Sequence, residues 1–309
     1  MRDEKTLVSV IIPVYNRADL VNESVKSVLA QTYRNIEVVL INDGSTDNSL
    51  DVISLLQEEY PDLITIINQK NQGQAAARNH GIEKARGSYI AFLDSDDLWM
   101  PDKLERQIPL FRDRVGLVYS SVELIDGLGK HIRYDYCDPE IQGNIYHHLL
   151  VKNRMTGGTV VVLKSVLKEV GLFDTEFSAA ENWDLWLRIC KKYEARLVIS
   201  PLLKYRLHNN NMSKDSVLML NAKRKIINKH CDKKSVDPLV SKYSKIAETD
   251  YNYKLGVHCF SGGEYRSAAR SFIKVSLASP LYEDTPIRLA RCMLGRRGNQ
   301  MIRAIKKSI

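Results

Sequence analysis

Apolar residues in the first hundred positions fall into short runs separated by amphipathic stretches. Four of these runs have the length and residue types of buried strands: Leu7–Ile12, Ile36–Ile41, Leu63–Ile67 and Tyr89–Leu93. Three stretches between them are predicted to be helices: Ala18–Ala30, Leu50–Glu58 and Gln74–Ala85. Alternation of strands and helices at this spacing predicts right-handed crossovers and an α/β fold with a mainly parallel sheet.

The pattern loosens after residue 100. Two further strands and one helix are predicted, in this order: Gly116–Ser120, Thr159–Leu163 and Glu181–Lys191. Two short runs, Arg196–Ile199 and Leu202–Leu207, flank Ser200 and Pro201 and are predicted to form a closing hairpin. Strand signals stop after Asn211, and only helices are predicted beyond it.

The charge distribution also changes towards the end of the chain. The net charge is +8, but residues 209–309 contain 20 basic and 8 acidic side chains, so the remainder is slightly acidic. An acidic first part joined to a basic tail suggests either two functions or a function and a targeting signal. We therefore divide the chain into an α/β domain at residues 1–212 and a basic helical extension at residues 213–309.

The composition is that of an ordinary soluble globular chain, with 44% hydrophobic and 27% charged residues. The apolar runs are too short to span a membrane, and no signal-peptide segment follows the charged N-terminus, so secretion is not expected. The five cysteines are scattered without a CxxC pair, which argues against a disulfide framework and a structural zinc site. A cytoplasmic location is expected.

The basic extension allows three interpretations. Ile302, Ile305 and Ile309 fall on one helical face, and such a helix could lie on an anionic membrane surface. A solvated basic face on a helical bundle and a surface for an acidic polysaccharide are the alternatives. Nucleic acid is not an expected partner, because the basic segments KRKIINKH and RRGNQMIRAIKK contain no interleaved aromatic residues and no known binding motif.

Polar residues follow each of the four predicted strands, where sheets of this kind bind ligands. Pro13 is predicted to stop the first strand, and Tyr15 and Asn16 offer a flat ring and an amide to a base or ribose. A plain strand-ending turn is the alternative. After the third strand, Gly73 permits a tight turn. Arg78 could reach a ribose or phosphate, or could be a solvated arginine on an alanine-rich surface helix.

Carboxylates follow the second and fourth strands. Asp43, one residue past the second strand, can accept hydrogen bonds from an imide N–H or a ribose, and it can also cap the next helix with Ser45 and Thr46. The fourth strand runs directly into four polar residues: Asp94, Ser95, Asp96 and Asp97. Three carboxylates so close repel one another unless a cation or hydrogen-bond donors compensate. Magnesium or manganese suits them, and an acidic helix cap is the alternative.

Together these segments resemble a known family. VSVIIPVYNRADLVNESVKSVLAQTYRNIEVVLINDGSTDNS, followed by NQGQAAARNHGIEKARGSYIAFLDSDDLW, is similar to family 2 of the inverting GT-A glycosyltransferases, and the likeness extends more loosely to residue 213. The resemblance implies a GT-A catalytic domain, a nucleotide-sugar donor that is commonly a UDP-sugar, and a divalent metal, manganese or magnesium. A glycan or lipid-linked acceptor and surface polysaccharide synthesis are implied as well.

The resemblance also implies residue roles. The nucleotide sugar would be held by residues of several loops: Pro13, Tyr15, Asn16, Asp43, Arg78, Asp94, Ser95 and Arg206. Asp96 would bind the metal that bridges the two phosphates, and Asp97 would be structural. In YRLHNNNMS, which resembles the family's Tyr-Arg-x-His stretch, Arg206 would steady phosphate charge. His208 would complete the metal shell or touch the diphosphate, unless it is a plain surface residue.

The acceptor-side motif departs from the family at one position. AAENWDLWLRI resembles the family's motif, but Asn182 stands where the general base is usually aspartate, and an amide cannot abstract a proton. Glu181 and Asp184 are the neighbouring carboxylates able to serve as the base. Asp184 can pair with Arg188 one helical turn later, which would weaken it as a base, so Glu181 is slightly favoured.

Two other enzyme classes with parallel sheets do not fit the loop after the first strand. A sugar-nucleotide pyrophosphorylase would carry a Gly-rich basic loop after the first strand, and a dinucleotide dehydrogenase would carry GxGxxG there. The segment PVYNRAD is neither of these. A non-catalytic nucleotide-sugar-binding scaffold is the remaining alternative, and Asn182 is the one feature that favours it.

Overall fold

The computed structural model of the chain describes residues 6–208, 211, 214–295 and 299. The chain divides into two compact units: Met1–Leu149 with Asn153–Asn211, and Leu150–Lys152 with Met212–Ile309. Among the described residues, no helix has both the length and the apolar character needed to cross a membrane.

The first half of the larger unit alternates strands with helices. Its elements are β1 (Val8–Val14), α1 (Val21–Leu29), β2 (Ile36–Asp43), α2 (Ser49–Glu59), β3 (Ile64–Gln69), α3 (Gln74–Lys84) and β4 (Tyr89–Phe92). The four strands pair in parallel in the order β3-β2-β1-β4. Every strand and helix predicted here is present, and the predicted α/β class is confirmed.

Pro13 does not stop the first strand; it lies inside β1, opposite Ile41 of β2. The Leu93 N–H donates to the Ile11 carbonyl, so the backbone groups of Ile11 face β4. Pro13 lies two residues later in the same strand, so its backbone groups face β4 as well. The pairing of β1 with β4 ends at Phe92. The nitrogen of Pro13, which carries no hydrogen, therefore faces the side where the hydrogen-bond ladder has already ended.

The chain from Leu98 to Arg206 extends the same sheet. Its elements are β5 (Leu98–Trp99), α4 (Lys103–Gln107), β6 (Val115–Ile125), β7 (His131–Asp135), α5 (Tyr146–Val151), β8 (Val161–Leu163), α6 (Lys164–Val170), α7 (Glu181–Cys190) and β9 (Glu194–Arg206). The strand order continues as β4-β8-β6-β9-β5, and β7 pairs with β6. Because β8 is antiparallel to both neighbours whereas β9 is parallel to β6, this half of the sheet is mixed.

The predicted hairpin around Ser200 and Pro201 is wrong, because the chain continues there as the single strand β9. Its register against β6 shifts at this point. Ser120 lies opposite Val198, and the next residue, Ser121, lies opposite Pro201. The two extra residues of β9 form a bulge, which accommodates a proline without reversing the strand.

The central strands β1 and β2 are buried along their whole length, which explains their almost continuous apolar sequence. Helix α3 approaches this pair closely through Gly81. A Cβ at Gly81 would lie 2.6 Å from an Ile11 side-chain atom and 2.7 Å from an Ile41 side-chain atom. Since α3 begins at the carboxyl edge of the sheet, this close packing also positions Gln74 and Arg78.

The described part of the smaller unit contains four long helices: α8 (Ser216–His230), α9 (Pro238–Ser261), α10 (Tyr265–Ala278) and α11 (Thr285–Met293). Asp215 and Asp237 cap α8 and α9, each accepting two backbone N–H groups. The predicted C-terminal helices are thereby confirmed. The proposed membrane-facing positions Ile302, Ile305 and Ile309 lie outside the described residues.

Candidate active site

The carboxyl ends of β1, β2 and β4 bring three loops to one edge of the parallel sheet. In the first loop, Tyr15 is 46% exposed. Asn16 has a left-handed backbone with φ of 51°, and its Oδ1 accepts a hydrogen bond from Thr46 N at 2.8 Å. Its own N–H donates to Ser45 Oγ at 3.2 Å. The first two loops are therefore tied together, while Tyr15 faces solvent.

Asp43 is the last residue of β2 rather than the residue after it, and it is buried. Its Oδ1 accepts hydrogen bonds from Gln69 Nε2 and Gln72 N, both at 2.8 Å, and its Oδ2 accepts one from Gly73 N at 2.9 Å. Gly73 has φ of 86°, a conformation that suits glycine. The Asp43 carboxylate thus fixes the start of α3.

The predicted cap of α2 by Asp43, Ser45 and Thr46 is wrong. The helix begins at Ser49, whose N–H donates to Asp47 Oδ1 at 3.0 Å and whose hydroxyl donates to the same oxygen at 2.5 Å. Because its donors come from the loop before α3, the Asp43 carboxylate is directed away from α2.

Arg78 is buried at the centre of the site, so the interpretation of a solvated surface arginine is wrong. Its Nη2 donates to Asp94 Oδ1 at 2.6 Å, and its Nη1 donates to Glu181 Oε1 at 2.5 Å. Gln74 Nε2 adds a hydrogen bond to Asp94 Oδ1 at 2.8 Å. The guanidinium lies 5.3 Å from the centroid of the Phe173 ring. Helix α3 therefore links the loop after β4 to the start of α7.

Burial and charge act against each other in this cluster. Burial raises the pKa of the Asp94 carboxyl, although the Arg78 charge lowers it in part. Burial also lowers the pKa of the Arg78 guanidinium, but Asp94 and Glu181 more than offset this and leave it raised. One guanidinium between two carboxylates leaves a net negative charge when all three groups are ionised, and such a charge favours a further cation nearby.

Asp96 faces the β1 loop and the residues that follow β9. Its Oδ2 lies 3.2 Å from Arg17 Nε and 3.0 Å from His208 Nε2. Ser95, the preceding residue, is buried. An arginine and a histidine thus converge on a single carboxylate oxygen, and the arginine compensates part of the negative charge of this loop.

Asp97 is almost completely buried. Its Oδ1 accepts a hydrogen bond from Arg206 N at 2.8 Å, and its Oδ2 has no hydrogen-bond partner among the described residues. Burial raises the pKa of the Asp97 carboxyl well above its usual value, and the charges of Asp96 and Asp94 add to the rise. Through its hydrogen bond with Arg206 N, the Asp97 carboxyl joins the loop to β9.

The Arg206 guanidinium is 3% exposed and is occupied by protein groups. Its Nε donates to the Asp96 carbonyl at 2.9 Å, and its Nη1 donates to the Gly127 carbonyl at 3.1 Å. Its Nη2 donates to Glu23 Oε2 at 2.8 Å. The side chain therefore braces the loop after β4, and a phosphate would have to replace one of these partners to contact it.

The side chains around Asp96 fit a divalent metal that is bound together with its substrate. The described residues contain no group of three or more His, Cys, Asp or Glu side chains that could hold an ion by themselves. Magnesium commonly takes one or two carboxylates and completes its shell with water and substrate phosphates, and manganese accepts carboxylate ligands as well. Asp96 and His208 could supply the protein ligands of such a site.

The two candidate bases on α7 have different surroundings. Asp184 is fully buried, and its Oδ2 accepts from Arg188 Nε at 2.9 Å, which is the pair predicted from the sequence. Arg188 also donates to the carbonyls of Val170 and Leu172. This pair holds the connection between α6 and α7, whereas Glu181 faces Arg78.

Asn182 borders the same space as Arg78. A Cβ at Gly157 would lie 3.7 Å from both Asn182 Nδ2 and Arg78 Nη2. The Asn182 Oδ1 accepts a hydrogen bond from Asn153 Nδ2 at 3.4 Å. The position of the family's usual base is therefore occupied by an amide that is held in place by a second amide.

Sequence reasoning missed three polar residues of this site: Arg17, Gln74 and Asn153. Arg17 directly follows Asn16, and Gln74 directly follows Gly73, so their places in the strand-end loops were a usable signal. Asn153 had no local signal, because its partner Asn182 lies 29 positions away.

Comparison with known proteins gives this arrangement its context. Residues 9–170 match the model of glycosyl transferase family 2. The chain belongs to this family. The resemblance inferred from the sequence is thereby confirmed, and the polar edge of the sheet lies within the matched region.

Relatives found by sequence are named as glycosyltransferases. An uncharacterized glycosyltransferase of Rickettsia conorii is 35% identical over 216 residues, which is 68% of this chain but 35% of the relative's length. The UDP-Glc:alpha-D-GlcNAc-diphosphoundecaprenol beta-1,3-glucosyltransferase WfgD of Escherichia coli is 34% identical over 213 residues, which covers 67% of this chain and 79% of WfgD.

Two solved structures share the fold. Residues 1–349 of S. aureus TarS, in complex with UDP-GlcNAc, align with a TM-score of 0.60 at 17% identity, covering 92% of this chain and 88% of that one. The mannosyltransferase PcManGT from Pyrobaculum calidifontis, in complex with GDP-Man and Mn2+, aligns with a TM-score of 0.59 at 21% identity, covering 93% and 84%. These likenesses confirm the GT-A fold class.

Proposed function

We propose that this chain is an inverting glycosyltransferase that moves a sugar from a UDP-sugar to a hydroxyl of a glycan or lipid-linked acceptor in surface polysaccharide synthesis. The observation that carries the proposal is the sheet edge at which Asp43 and Asp94 are joined through the start of α3. The name of the E. coli relative, with its UDP-glucose donor and diphosphoundecaprenol-linked acceptor, supports both halves of the proposal.

The nucleotide lies across the loops that follow β1 and β2. The exposed Tyr15 ring stacks on the base, and Pro13 and Asn16 form the adjoining wall. Asp43 accepts a hydrogen bond from the base, because a carboxylate has lone pairs beyond those used by its three loop donors. These contacts select the nucleotide half of the donor.

The ribose and the diphosphate lie next to the loop after β4. Asp94 faces the ribose, and Arg78 contributes by holding Asp94 in place. Asp96 and His208 would hold a divalent metal, which when bound would neutralise charge that develops on the departing diphosphate. Arg17 adds a positive charge at the same carboxylate. The Mn2+ in the complex of the mannosyltransferase with the same fold supports this assignment.

The transfer step is a single displacement. The acceptor oxygen forms a bond to the anomeric carbon while the bond from that carbon to the diphosphate breaks, and the diphosphate leaves with the electron pair. The acceptor proton passes to the Glu181 carboxylate. Both carboxylates are paired with an arginine. Glu181 is preferred because its partner, Arg78, also binds Asp94 of the donor side, whereas the pair of Asp184 with Arg188 joins α6 to α7. Attack from the face opposite the diphosphate inverts the anomeric configuration.

The stereochemistry of the product tests the proposal. A panel of nucleotide sugars is first screened by thermal shift with manganese, and the stabilising donor is then used with candidate glycan and lipid-linked acceptors. Proton NMR of the product should show an anomeric configuration opposite to that of the donor. Retention of configuration would contradict the single displacement.

A second candidate function is a non-catalytic nucleotide-sugar-binding scaffold. Asn182 favours it, because the family's usual base is missing at this position. The discriminating measurement is slow hydrolysis of the donor without acceptor. A transferase should release UDP from its donor in the presence of metal, whereas a scaffold should bind the same donor and release none.

The basic extension suggests a location. We assign it to an anionic membrane surface on the cytoplasmic side, because residues 209–309 carry 20 basic and 8 acidic side chains. Sedimentation with anionic liposomes, with and without the last dozen residues, tests this role. Loss of binding on truncation is expected, and equal binding to neutral liposomes would contradict it.

A further inference from the structure

Strand β7 carries an exposed row of aromatic rings. All five of its residues are exposed, and Tyr134 is 49% exposed. Tyr136, the first residue after the strand, is 60% exposed. The ring centroids of His131 and Tyr134 are 4.6 Å apart, and those of Tyr134 and Tyr136 are 5.8 Å apart. Contiguous exposed rings of this kind commonly mark a binding surface.

A β-bulge aligns these rings on one face of the strand. Tyr134 lies opposite Glu123 of β6, and His131 lies opposite Ile125, with one extra residue of β7 between the pairs. Because Glu123 and Ile125 share a face of β6, the bulge brings His131 to the same face as Tyr134. The His131 Nδ1 lies 2.8 Å from Glu123 Oε1, so a nearly buried carboxylate orients the first ring of the row.

The row begins beside the candidate active site. The carbonyl of Ile125, which is paired with His131, accepts a hydrogen bond from Leu207 N at 2.8 Å. In the turn between β6 and β7, the Gly127 carbonyl accepts from Arg206 Nη1, which belongs to the side chain that braces the Asp96 loop. The turn at the start of the row is therefore hydrogen-bonded to Leu207 and Arg206, and Arg206 also binds the Asp96 carbonyl.

The far end of the row leads toward the acceptor side. Cys137, which follows Tyr136, donates from its N–H to Ser121 Oγ at 2.9 Å, and its Sγ lies 3.9 Å from the Arg154 carbonyl. The residue before Arg154 is Asn153, which holds Asn182. The segment that follows the row thus lies close to the residues that hold Asn182.

We propose that His131, Tyr134 and Tyr136 form a platform for the sugar rings of the acceptor glycan; this inference rests on the transferase function proposed above. The C–H groups on one face of a pyranose carry a partial positive charge, and the face of an aromatic ring carries a partial negative one, so the two stack. The tyrosine hydroxyls at the edges of the rings offer hydrogen bonds to the sugar hydroxyls.

A second copy of the chain is the rival occupant, because among the described residues β7 pairs with β6 alone and so presents an open edge. Two features favour the glycan. The charged residues Arg133 and Asp135 lie within this short strand, and charges of this kind discourage strand addition. The second feature is that the row lies beside the candidate active site, because an acceptor glycan must reach that site whereas a contact between two sheets need not.

The test is binding of the full chain to a glycan array that displays pyranose-containing oligosaccharides. Tyr134→Ala with Tyr136→Ala should weaken binding at least about tenfold, since both stacking surfaces are lost. Tyr134→Phe with Tyr136→Phe keeps the rings and should retain most of the binding. Leu55→Ala, at a 65% exposed position on α2, is the matched control and should bind like wild type.

Kinetics separate this inference from the proposed transferase function. The double alanine variant should raise the acceptor KM at least about tenfold and leave the donor KM and donor hydrolysis unchanged. If glycan binding depended on the rings but no UDP were released, the transferase function alone would be contradicted. The platform alone would be contradicted if the enzyme released UDP but bound the array independently of the rings. The same conclusion would follow if the wild type released UDP but did not bind the array.

Sedimentation of the same variants addresses the rival occupant. The wild type and the double alanine variant should sediment as the same species, with equal melting temperatures, because the substituted side chains are exposed. Tyr136→Ala alone serves as the milder variant if the double variant does not fold. A wild-type dimer that dissociates on loss of the rings would overturn the glycan assignment.

Discussion

The donor and acceptor sides of the candidate site are assembled differently. On the donor side, loops that follow neighbouring parallel strands meet at the edge of the sheet, as strand order alone requires. On the acceptor side, Glu181 and Asn182 on α7 reach the site through Arg78 and Asn153, which are 103 and 29 positions away from them. Strand-end loops can therefore be located from a sequence pattern, whereas the acceptor side depends on pairs that form only on folding.

Arg78 joins the two sides, and its removal is expected to have the largest effect. Arg78→Ala leaves Asp94 and Glu181 without their shared cation, which should lower the free energy of unfolding by about 3–5 kcal/mol. Urea unfolding followed by circular dichroism measures this change. Arg78→Lys keeps the charge but not the forked geometry, so its stability should fall between those of wild type and Arg78→Ala. Wild-type stability in Arg78→Ala would show that the two sides are independent.

Asp96 belongs to the donor side alone. Asp96→Ala should lower kcat by about 10³-fold because it removes a carboxylate from the diphosphate end of the site. Its melting temperature should stay close to that of wild type, since within the described part of the chain the side chain pairs with Arg17 and His208 through one oxygen. Asp102→Ala, at an exposed carboxylate, is the matched control. Full wild-type activity in excess EDTA would contradict the metal assignment.

Glu181 tests the acceptor side. Glu181→Gln should lower kcat by about 10²-fold because it removes the proton acceptor. It also removes the charge that faces Arg78, so urea unfolding of the same variant separates a loss of stability from a loss of catalysis. Adding Asn182→Asp to this variant places a carboxylate at the family's usual position and should restore part of the activity. Asp184→Asn should instead lower stability, since it breaks the buried pair with Arg188. Unchanged kcat in Glu181→Gln would rule out its role as the base.

The fold was predictable where the signal is local. The strands and helices of the first hundred residues follow from alternating apolar and amphipathic stretches, because each element buries its own face. Pro13 and Pro201 misled the prediction for one reason: a proline ends a strand only if its missing N–H is needed by a neighbour. At Pro13 the neighbouring ladder has ended, and at Pro201 a bulge absorbs the irregularity. Neither circumstance is visible in the sequence.

The site shows the same limit. The acidic loop at Asp94 and Asp96 could be located from its position after an apolar strand. The burial of Arg78 could not, because an alanine-rich helix with one arginine has the same sequence pattern whether or not a carboxylate from a distant helix covers it. The pairing of Glu181 could not be predicted either, because its partner Arg78 lies on another helix and not within its own.

Lys103 offers the smallest and most specific test. It is completely buried; its Nζ donates to Gln107 Oε1 at 2.6 Å and lies 4.3 Å from the Trp99 ring centroid. Trp99 Nε1 and Gln107 Nε2 in turn donate to the carbonyls of Gly158 and Thr159, at 2.9 Å each. The lysine therefore supports the turn that carries Gly157 on the acceptor side.

Burial lowers the pKa of the Lys103 ammonium well below its usual value. Between that lowered pKa and the ordinary lysine value of about 10.4, the unfolded chain holds one proton more than the folded chain, so this group makes stability rise with pH. Lys103→Met removes that dependence and gives up one hydrogen bond to Gln107, worth about 1 kcal/mol. Urea unfolding of both proteins from neutral to alkaline pH should show wild type gaining on the variant as pH rises. If the unfolding free energies of the two proteins changed with pH in the same way, Lys103 would keep its proton in the folded chain. The turn that carries Gly157 would then be supported by a buried charge.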